Sequence, residues 1–354
     1  MECFKWKICG KISVNSSGAA GISGREETMS KEIIWLEPVL KKNIWGGERL
    51  IKEFHYAESG SGIGECWGIS AHPSGDCTVR EGKYQGRMLS ELYSSRRELF
   101  GNLKNPQFPL LVKIIDAKQK LSIQVHPDDT YAEEHENGSQ GKTECWYVMD
   151  CPENAELVIG HNAKTREELR RMIQEECYED LIRRVPVKKG DFIQIVPGTI
   201  HAITGGMLIL ETQQNSDITY RVYDYGRIAD GKLRPLHVKQ SIEVTNVPDC
   251  TDKRGILHAA NVPENQLVEL VSCEYYKVWK LCVKAIFEMQ QNQPFLLVSV
   301  LDGEGAIDGH PLKKGDHLIL PSGYGRVIFE GNPEMILSAP VEQEKRRNGE
   351  PGIF

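Results

Sequence analysis

Short apolar runs, each closed by a turn signal, recur along most of this chain. They are rich in Val, Ile, Leu and aromatic residues and are bounded by Gly, Pro or charged residues, a pattern typical of β-strands. The predicted strands span residues 66–71, 110–117, 121–126, 144–149, 155–159, 192–196 and 207–211. Many short strands at close spacing predict a mainly β fold, a barrel or a sandwich, rather than alternating strands and helices.

Three segments are predicted to be helical, over residues 89–99, 128–136 and 166–184. The third has the clearest signals. Thr165 can be its N-cap, and Glu168 completes a Thr-x-x-Glu capping box. A rough apolar face follows at positions 169, 172, 173, 181 and 182. We therefore expect a few short helices added to a β framework.

An internal repeat relates the two halves of the chain. Residues 187–198 resemble residues 312–323, because both contain a Lys-Lys-Gly-Asp turn, a buried strand and then a proline. Gly190 and Gly315 can supply the positive φ that such turns need. Two copies predict two related β-barrels or sandwiches in tandem. Only the first copy continues into a histidine, His201, so a site that needs this imidazole is expected only in the first half.

The chain divides into three predicted parts. Residues 1–28 are polar and rich in Gly and Ser, which predicts a disordered extension. Prolines and mixed polarity place the connection between the halves near residues 238–265. We therefore predict a catalytic N-terminal domain with helical elements over residues 29–250, and a C-terminal domain without a metal site over residues 251–354.

Composition excludes several classes of function. The 354 residues carry a formal net charge of −7, so no basic excess is available to bind nucleic acid. No apolar stretch approaches the length of a transmembrane helix. The 10 cysteines form no CxxC pair, and residues 1–28 lack the apolar core of a signal peptide. Reduced thiols and a cytoplasmic location are expected.

Four residues offer the ligands of a divalent metal site. Gln124 and His126 lie two residues apart in a β-type run, and such residues point to the same face of a strand. Glu144 adds a carboxylate, and His201 adds a second imidazole after a tight turn. A lone histidine or a lone glutamate at a strand end is more often an ordinary surface residue. The four together favour a metal.

Other polar residues lie close to these candidates in the sequence. Lys142 and Glu144 are predicted to share one face of a strand and to point inward. Arg221 is flanked by tyrosines and a valine, which could bury it against an anionic ligand. His135 and His161 are interpreted as surface residues.

The chain resembles a known family in four motifs. They are Ser-Ile-Gln-Val-His-Pro-Asp at 122–128, Gly-Lys-Thr-Glu-Cys-Trp-Tyr at 141–147, Pro-Gly-Thr-Ile-His-Ala at 197–202 and Ser-Asp-Ile-Thr-Tyr-Arg at 216–221. Together these are similar to type I mannose-6-phosphate isomerases of the short bacterial form, within the cupin superfamily. The resemblance runs from about Ile33 to the C-terminus. It implies tandem cupin (jelly-roll) β-barrels, and the chain is too short for the helical insertion domain of the long form.

The resemblance also implies a reaction and roles for residues. Members interconvert mannose 6-phosphate and fructose 6-phosphate through a cis-enediol, with one Zn²⁺ per chain. The implied metal ligands are Gln124, His126, Glu144 and His201. The implied catalytic residues are Arg221, Glu211 as the leading candidate for the base, and Lys142 as the second candidate if its pKa is lowered. The implied substrate-binding residues are Ser122, Lys113 and Trp67.

Several alternatives stay open on the sequence alone. One alternative is a non-catalytic cupin that binds metal and sugar phosphates, although the intact set of polar residues at 124, 142, 144, 201 and 221 argues against it. Another is an isomerase of a different phosphosugar, which the sequence does not exclude. An Fe(II) cupin oxygenase is less favoured, because Gln124 occupies a position where such sites favour histidine. The expected partner is a small phosphosugar, and the chain is a monomer or a homodimer.

Overall fold

The computed structural model describes residues 31–56, 61–229, 231–249 and 256–342. The extension predicted over residues 1–28 lies outside the described residues. In chain order, the first strands are β1 (Ile34–Glu37), β2 (Val39–Gly47), β3 (Ile63–Ile69), β4 (Ala71–His72), β5 (Gly75–Asp76), β6 (Thr78–Val79), β7 (Leu110–Ala117), β8 (Ile123–Val125), β9 (Glu144–Asp150), β10 (Glu156–His161), β11 (Ile182–Pro186), β12 (Asp191–Ile195), β13 (His201–Ala202), β14 (Met207–Gln214) and β15 (Tyr220–Tyr223).

The later strands are β16 (Ile228–Ala229), β17 (Lys232–Leu233), β18 (Ile256–His258), β19 (Val268–Ser272), β20 (Tyr276–Cys282), β21 (Ala285–Gln291), β22 (Leu296–Asp302), β23 (Glu304–Ile307), β24 (His310–Lys313), β25 (His317–Leu320), β26 (Gly325–Gly331) and β27 (Glu334–Pro340). The helices are α1 (Arg49–Lys52), α2 (Leu89–Ser95), α3 (Asp129–His135), α4 (Arg166–Gln174), α5 (Tyr178–Leu181) and α6 (Val238–Val244). None of these helices has the length and apolar character that a membrane span needs.

Two seven-stranded sheets pack against each other at the centre of the molecule. Their strand orders are β18-β12-β9-β14-β7-β2-β3 and β19-β20-β27-β22-β25-β1-β6. A five-stranded sheet, β11-β10-β13-β8-β15, covers the first, and a four-stranded sheet, β21-β26-β23-β24, covers the second. Strand β14 illustrates the layering, because Leu208 and Leu210 join the central core whereas Met207 and Ile209 face the five-stranded sheet.

This layering confirms the predicted fold class. Each half consists of a large sheet packed on a smaller one, as in a jelly roll, and the halves stand in tandem. The helices are short, and no large helical insertion is present in the ranges that the structure describes. All seven predicted strands form, with ends shifted by up to three residues.

Strand pairing crosses the predicted boundary at residue 250 in both directions. Strand β1 pairs with β25 of the second half, with Ile34 opposite Ile319. Strand β18 pairs with β12 of the first half, with Leu257 opposite Phe192. Each half therefore completes a sheet of the other.

The helix predicted over residues 166–184 is shorter than expected. Its N-terminus is as predicted, since the Thr165 hydroxyl accepts a hydrogen bond from the Glu168 amide at 3.1 Å. Helix α4 then ends at Gln174, and Glu176 has a positive φ of 56°. Residue Ile182 begins β11, which pairs with β10, so its side chain belongs to a sheet and not to a helix face.

The repeated turn has the same geometry in both halves. Gly190 and Gly315 each have a φ of 87°, as their turns require. In each copy the following aspartate, Asp191 or Asp316, accepts a hydrogen bond from the backbone amide three residues before it, at 2.9 Å. The repeat in the sequence is therefore a repeat of structure.

The two copies differ in chemistry at several positions, and one of these lies between the halves of the molecule. The first copy has Phe192 where the second has His317, and both side chains are buried. The His317 ring lies between the halves, with Nδ1 2.9 Å from the Ser299 hydroxyl and Nε2 3.1 Å from the Tyr56 hydroxyl. Burial lowers the pKa of His317 to about 3, so this histidine is neutral at physiological pH.

Candidate active site

The five-stranded sheet brings three of the predicted residues into one row. Gln124 on β8 lies directly opposite His201 on β13 and opposite Arg221 on β15. Residues in register on neighbouring strands point to the same face, so an amide, an imidazole and a guanidinium lie side by side. His126 comes two residues after Gln124 and lies beside this row, with its ring centroid 4.7 Å from that of His201.

The first seven-stranded sheet supplies a second row. Glu211 on β14 lies between Lys113 on β7 and Trp146 on β9, and Trp67 on β3 is the neighbour of Lys113. Glu144 comes two residues before Trp146 and shares its face. The two rows meet at one end of the first half's sandwich.

The predicted ligands converge where the rows meet. The Glu144 carboxylate lies 3.4 Å from His126 Nε2 through one oxygen and 3.4 Å from His201 Nε2 through the other. The ligand atoms of these three residues all lie within 4.8 Å of one another. The side-chain amide of Gln124 approaches His201 Nε2 at 3.2 Å. All three charged or imidazole ligands are buried.

The chemistry of these donors fits a divalent cation. His201 Nδ1 lies 2.9 Å from the Thr199 carbonyl, so it carries the proton and leaves a lone pair on Nε2. Burial and the Lys142 ammonium lower the pKa of His126 to about 3. Burial opposes ionisation of Glu144, but Lys142 and His126 outweigh it and hold its pKa well below the usual value. Both carboxylate oxygens are buried, one facing the Lys142 ammonium and His126 and the other facing His201.

Lys142 reaches the centre of the cluster. Its Nζ lies 2.8 Å from a Glu144 oxygen, 3.2 Å from His126 Nε2 and 4.0 Å from a Glu211 oxygen. Burial alone would lower the pKa of Lys142, but the carboxylates of Glu144 and Glu211 raise it above its ordinary value. The direction is opposite to the one that the sequence suggested for a base.

Glu211 is a buried carboxylate with an elevated pKa. One oxygen accepts a hydrogen bond from Trp146 Nε1 at 2.9 Å, and the other lies 3.4 Å from Lys113 Nζ. Burial and the charge of Glu144 raise the pKa of Glu211 more than the two lysines lower it. A carboxyl group that is buried beside another carboxylate takes up a proton more readily than an exposed one.

Arg221 lies at the edge of the cluster in a cationic setting. It is half-buried, and its Nε has no hydrogen-bond partner. Burial and the charge of Arg234 lower the pKa of Arg221. Arg227 and Arg234 both donate to Asp224, which leaves positive charge in excess. The sequence indicated Arg221 but not Arg234, which lies beyond a turn and has no motif around it.

The remaining predicted substrate residues border the same cluster. The Ser122 hydroxyl donates to the Gln124 amide oxygen at 3.4 Å. The Trp67 ring lies 5.0 Å from Lys113 Nζ, and its Nε1 donates to Glu65 at 2.6 Å. Glu65 also lies 3.8 Å from Lys113 Nζ, and sequence reasoning gave it no role. Its spacing two residues before Trp67 was the available signal.

Two further histidines were predicted to be surface residues. His135 is exposed, as expected. The prediction for His161 is wrong, because this residue ends β10 and is buried, with Nε2 2.8 Å from the Asn246 carbonyl. The neighbouring Gly160 and Asn162 suggested a surface position, but β10 extends as far as His161.

The chain matches two family models and several known proteins. Residues 33–161 match phosphomannose isomerase type I, catalytic domain, and residues 266–340 match mannose-6-phosphate isomerase, cupin domain. Mannose-6-phosphate isomerase ManA of Bacillus subtilis is 49% identical over 315 residues, which cover 88% of this chain and 99% of that protein. Mannose-6-phosphate isomerase of Streptococcus mutans is 48% identical over 312 residues, which cover 87% and 98%.

The fold matches as well. The crystal structure of the mannose 6-phosphate isomerase from Bacillus subtilis has a TM-score of 0.80 to this chain at 43% identity, covering 86% of this chain and 99% of the other. Sequence, fold and the four motifs agree. The chain therefore belongs to the type I phosphomannose isomerase family, within the cupin superfamily.

Proposed function

We propose that this protein is a zinc-dependent aldose–ketose isomerase that interconverts mannose 6-phosphate and fructose 6-phosphate through a cis-enediol. The observation that carries the proposal is the juxtaposition of a His–Glu–His ligand group with two candidates for proton transfer. Lys142 lies 2.8 Å from an oxygen of Glu144, which belongs to this buried group. Glu211 lies 4.0 Å from Lys142. Aldose–ketose isomerisation needs a polarised oxygen, a base and an anchor for the substrate.

Gln124, His126, Glu144 and His201 would hold the metal. Two neutral imidazoles and one carboxylate are donors that Zn²⁺ prefers in proteins, and the Gln124 side-chain amide would add a neutral donor. Bound there, Zn²⁺ would supply a Lewis acid with a residual charge of about +1 that polarises a sugar oxygen. The set contains only one carboxylate, and the neutral Gln124 preserves that residual charge.

Glu211 is the leading candidate for the base that moves the proton between C2 and C1. Its raised pKa suits a group that must both take and return a proton. Lys142 is the second candidate. Its neighbouring carboxylates favour the ammonium form, which suits donation of a proton to a sugar oxygen. The positive charge of a bound metal ion acts in the opposite direction on Lys142.

The charges around the site favour a phosphosugar. The cluster contains three cations, Lys113, Lys142 and Arg221, and three carboxylates, Glu65, Glu144 and Glu211. A divalent metal ion would add two positive charges, and a phosphate ester would return almost two negative charges. Arg221, with an unpaired Nε, would stabilise the enediolate or hold the phosphate.

Ser122, Lys113 and Trp67 would complete the substrate pocket. Ser122 bonds the amide of Gln124, and Trp67 packs against Lys113. We further propose that the chemistry belongs to residues 29–250, and that residues 251–354 form a second cupin domain without a metal site. The His126–Glu144–His201 group supports this division, since it is the one such group within the described ranges and lies in the first part.

A coupled assay tests the proposed function directly. Full-length zinc-replete protein is mixed with mannose 6-phosphate, and fructose 6-phosphate formation is followed continuously. We expect turnover that a chelator abolishes and added Zn²⁺ restores. Binding of mannose 6-phosphate without turnover would favour a non-catalytic cupin instead. Stoichiometric iron with oxygen consumption would favour an oxygenase, and faster turnover of another phosphosugar would change the substrate.

A further inference from the structure

Lys142 lies on a segment without regular secondary structure. Residues 141–143 are the last part of the connection from α3 to β9, and Glu144 follows as the first residue of β9. A strand holds its backbone through ladder hydrogen bonds, but this segment has a single bond of that kind, from the Gln214 amide to the Thr143 carbonyl at 3.1 Å. Each of its buried amides therefore needs another acceptor. The identity of those acceptors decides how firmly Lys142 and Glu144 are held.

The Lys142 amide donates to the Pro127 carbonyl at 3.0 Å, and a single carboxylate organises the bonds of the amides on either side of it. Asp129 Oδ1 accepts from the Gly141 amide at 2.8 Å and from the Gln214 side-chain amide at 2.9 Å. The Gln214 side-chain oxygen in turn accepts from the Thr143 amide at 2.8 Å. Asp129 Oδ2 accepts from the Tyr275 hydroxyl at 3.0 Å. The two amides on either side of Lys142 are thus fixed by one connected network.

The segment is also packed tightly against the start of α3. A Cβ on Gly141 would lie 2.4 Å from the Asp128 carbonyl carbon and 2.6 Å from the Asp129 amide nitrogen. Both contacts are with backbone, which cannot move aside cheaply. Only glycine allows the segment to approach Asp129 closely enough for the network to form.

The Tyr275 hydroxyl comes from the second half of the chain. Tyr275 lies in the turn between β19 and β20, and it is separated from Asp129 by 146 residues. The described part of the second half offers no metal ligand group of its own. Through this turn it nevertheless contacts the network that holds Lys142.

We infer that Asp129 and Tyr275 are positioning residues that fix Lys142 and Glu144 for the isomerisation, and that this contact is a contribution of the second half to the active site. The part of this inference that concerns isomerisation rests on the proposed function. The holding of residues 141–143 is a property of the protein without substrate, and it can be measured separately.

The chain contains a matched control for this network. In the second half, Asp308 Oδ1 accepts from the Ile328 amide at 2.8 Å, and Asp308 Oδ2 accepts from the Tyr324 hydroxyl at 2.8 Å. This pair has the same chemistry but lies outside the active site. The test variants are Asp129→Asn and Tyr275→Phe, and the control variants are Asp308→Asn and Tyr324→Phe.

Two readouts are needed, both on full-length protein. Amide hydrogen exchange of residues 141 and 143 measures the network without substrate. Steady-state kinetics with mannose 6-phosphate, normalised to bound zinc, measure its effect on the reaction. We expect kcat to fall on the order of tenfold in both test variants, as for loss of a hydrogen bond to a charged group. We expect KM to change less than about twofold, because the affected groups act in the chemical step.

The exchange and control results decide the inference. Faster exchange at residues 141 and 143 in the test variants, with wild-type exchange and kcat in the controls, would support it. Unchanged exchange in both test variants, or an equal loss of kcat in the controls, would overturn it. If the wild-type protein does not convert mannose 6-phosphate, the proposed function fails, whereas the exchange result still tests whether Asp129 and Tyr275 hold the segment.

Discussion

At the scale of single residues, Gln124 is the most unusual member of the ligand group. A glutamate there would bind zinc equally well but would remove the residual positive charge. We expect Gln124→Glu to retain zinc and to lower turnover by about tenfold or more. His126→Ala removes a donor from the group, so we expect it to lose zinc. Metal analysis and the coupled assay measure both effects.

An exposed glutamine provides the control for this change. Gln290 lies on β21 at the surface, and Gln290→Glu adds the same charge far from the cluster. We expect that variant to keep wild-type zinc content and turnover. Normal turnover in Gln124→Glu would refute the charge argument while leaving the family assignment intact.

Glu211 is predicted to be the proton carrier. Glu211→Gln keeps the shape of the side chain, including an acceptor for Trp146 Nε1, but cannot take a proton. We expect exchange of the C2 hydrogen of the substrate with deuterated water to fall about 100-fold or more. Nuclear magnetic resonance of the substrate measures this rate.

Glu288→Gln, an exposed strand residue, serves as the control for Glu211 and should exchange normally. Wild-type exchange in Glu211→Gln would remove Glu211 as the base. The same measurement on Lys142→Met then tests the second candidate.

Some features of the candidate site could be predicted from the sequence, and others could not. Gln124 and His126 were predictable because strand periodicity places i and i+2 on one face. The direction of the pKa shift of Lys142 was not, because it reflects the balance between burial and the carboxylates of Glu144 and Glu211, and β14 brings Glu211 close from far along the chain. The contact between Asp129 and Tyr275 was equally inaccessible, since no local pattern indicates a partner 146 residues away.

At the scale of elements, local signals predicted starts better than ends. The Thr165 cap correctly marked the first turn of α4. The end was wrong because Ile182 has the apolar character of a helix face, while its partner strand β10 decides its conformation. The repeat predicted two equivalent turns, and Gly190 and Gly315 confirm them.

Strand β25 begins with His317, where the first copy of the repeat has Phe192, and this histidine leads to a prediction about the pH dependence of stability. Folded His317 has a pKa of about 3, below its ordinary value of 6.5, so the unfolded chain binds a proton that the folded chain does not. Its contribution to stability is complete above pH 6.5 and is lost as the pH falls towards 3. We expect His317→Gln to reduce the pH dependence of the free energy of unfolding by up to ~1.4 kcal/mol per pH unit in this window.

Urea unfolding at pH 6.5 and pH 5 measures this difference. Other buried histidines contribute to the wild-type slope, so the comparison of wild type with variant isolates His317. His310→Gln, an exposed residue of β24, is the control and should leave the slope unchanged. An identical slope in His317→Gln and wild type would contradict the neutral, buried state of His317.

At the scale of the whole molecule, the two halves share their structure. The largest hydrophobic core lies between the two seven-stranded sheets and includes residues of both halves. We expect fragments 29–250 and 251–354, produced separately, to remain unfolded or molten, and to fold when they are combined. Circular dichroism and the dispersion of amide resonances measure this. Cooperative unfolding of fragment 251–354 alone would show that β1 and the shared core are dispensable for the second half.

The tandem architecture could be predicted because both copies of the repeat contain the same local signal, a Lys-Lys-Gly-Asp turn followed by an apolar run. The exchange of strands between the halves could not be predicted. The apolar run around Ile34 indicates a strand but carries no information about its neighbour. Pairing with Ile319 follows only from the packing of the complete chain.

The pairing of β1 with β25 also means that β1 must wait for its partner strand while the ribosome synthesises the rest of the chain. Ile34 and Ile319 are separated by 319 − 34 = 285 residues. At roughly 5–20 residues per second, a ribosome needs about a quarter of a minute to a minute to cover that distance. Throughout that interval β1 is an apolar strand with an unpaired edge, of the kind that promotes aggregation. A nascent chain that stops before β25 therefore leaves its earliest described strand without one of the two neighbours it has in the finished protein, because only β6 is then available.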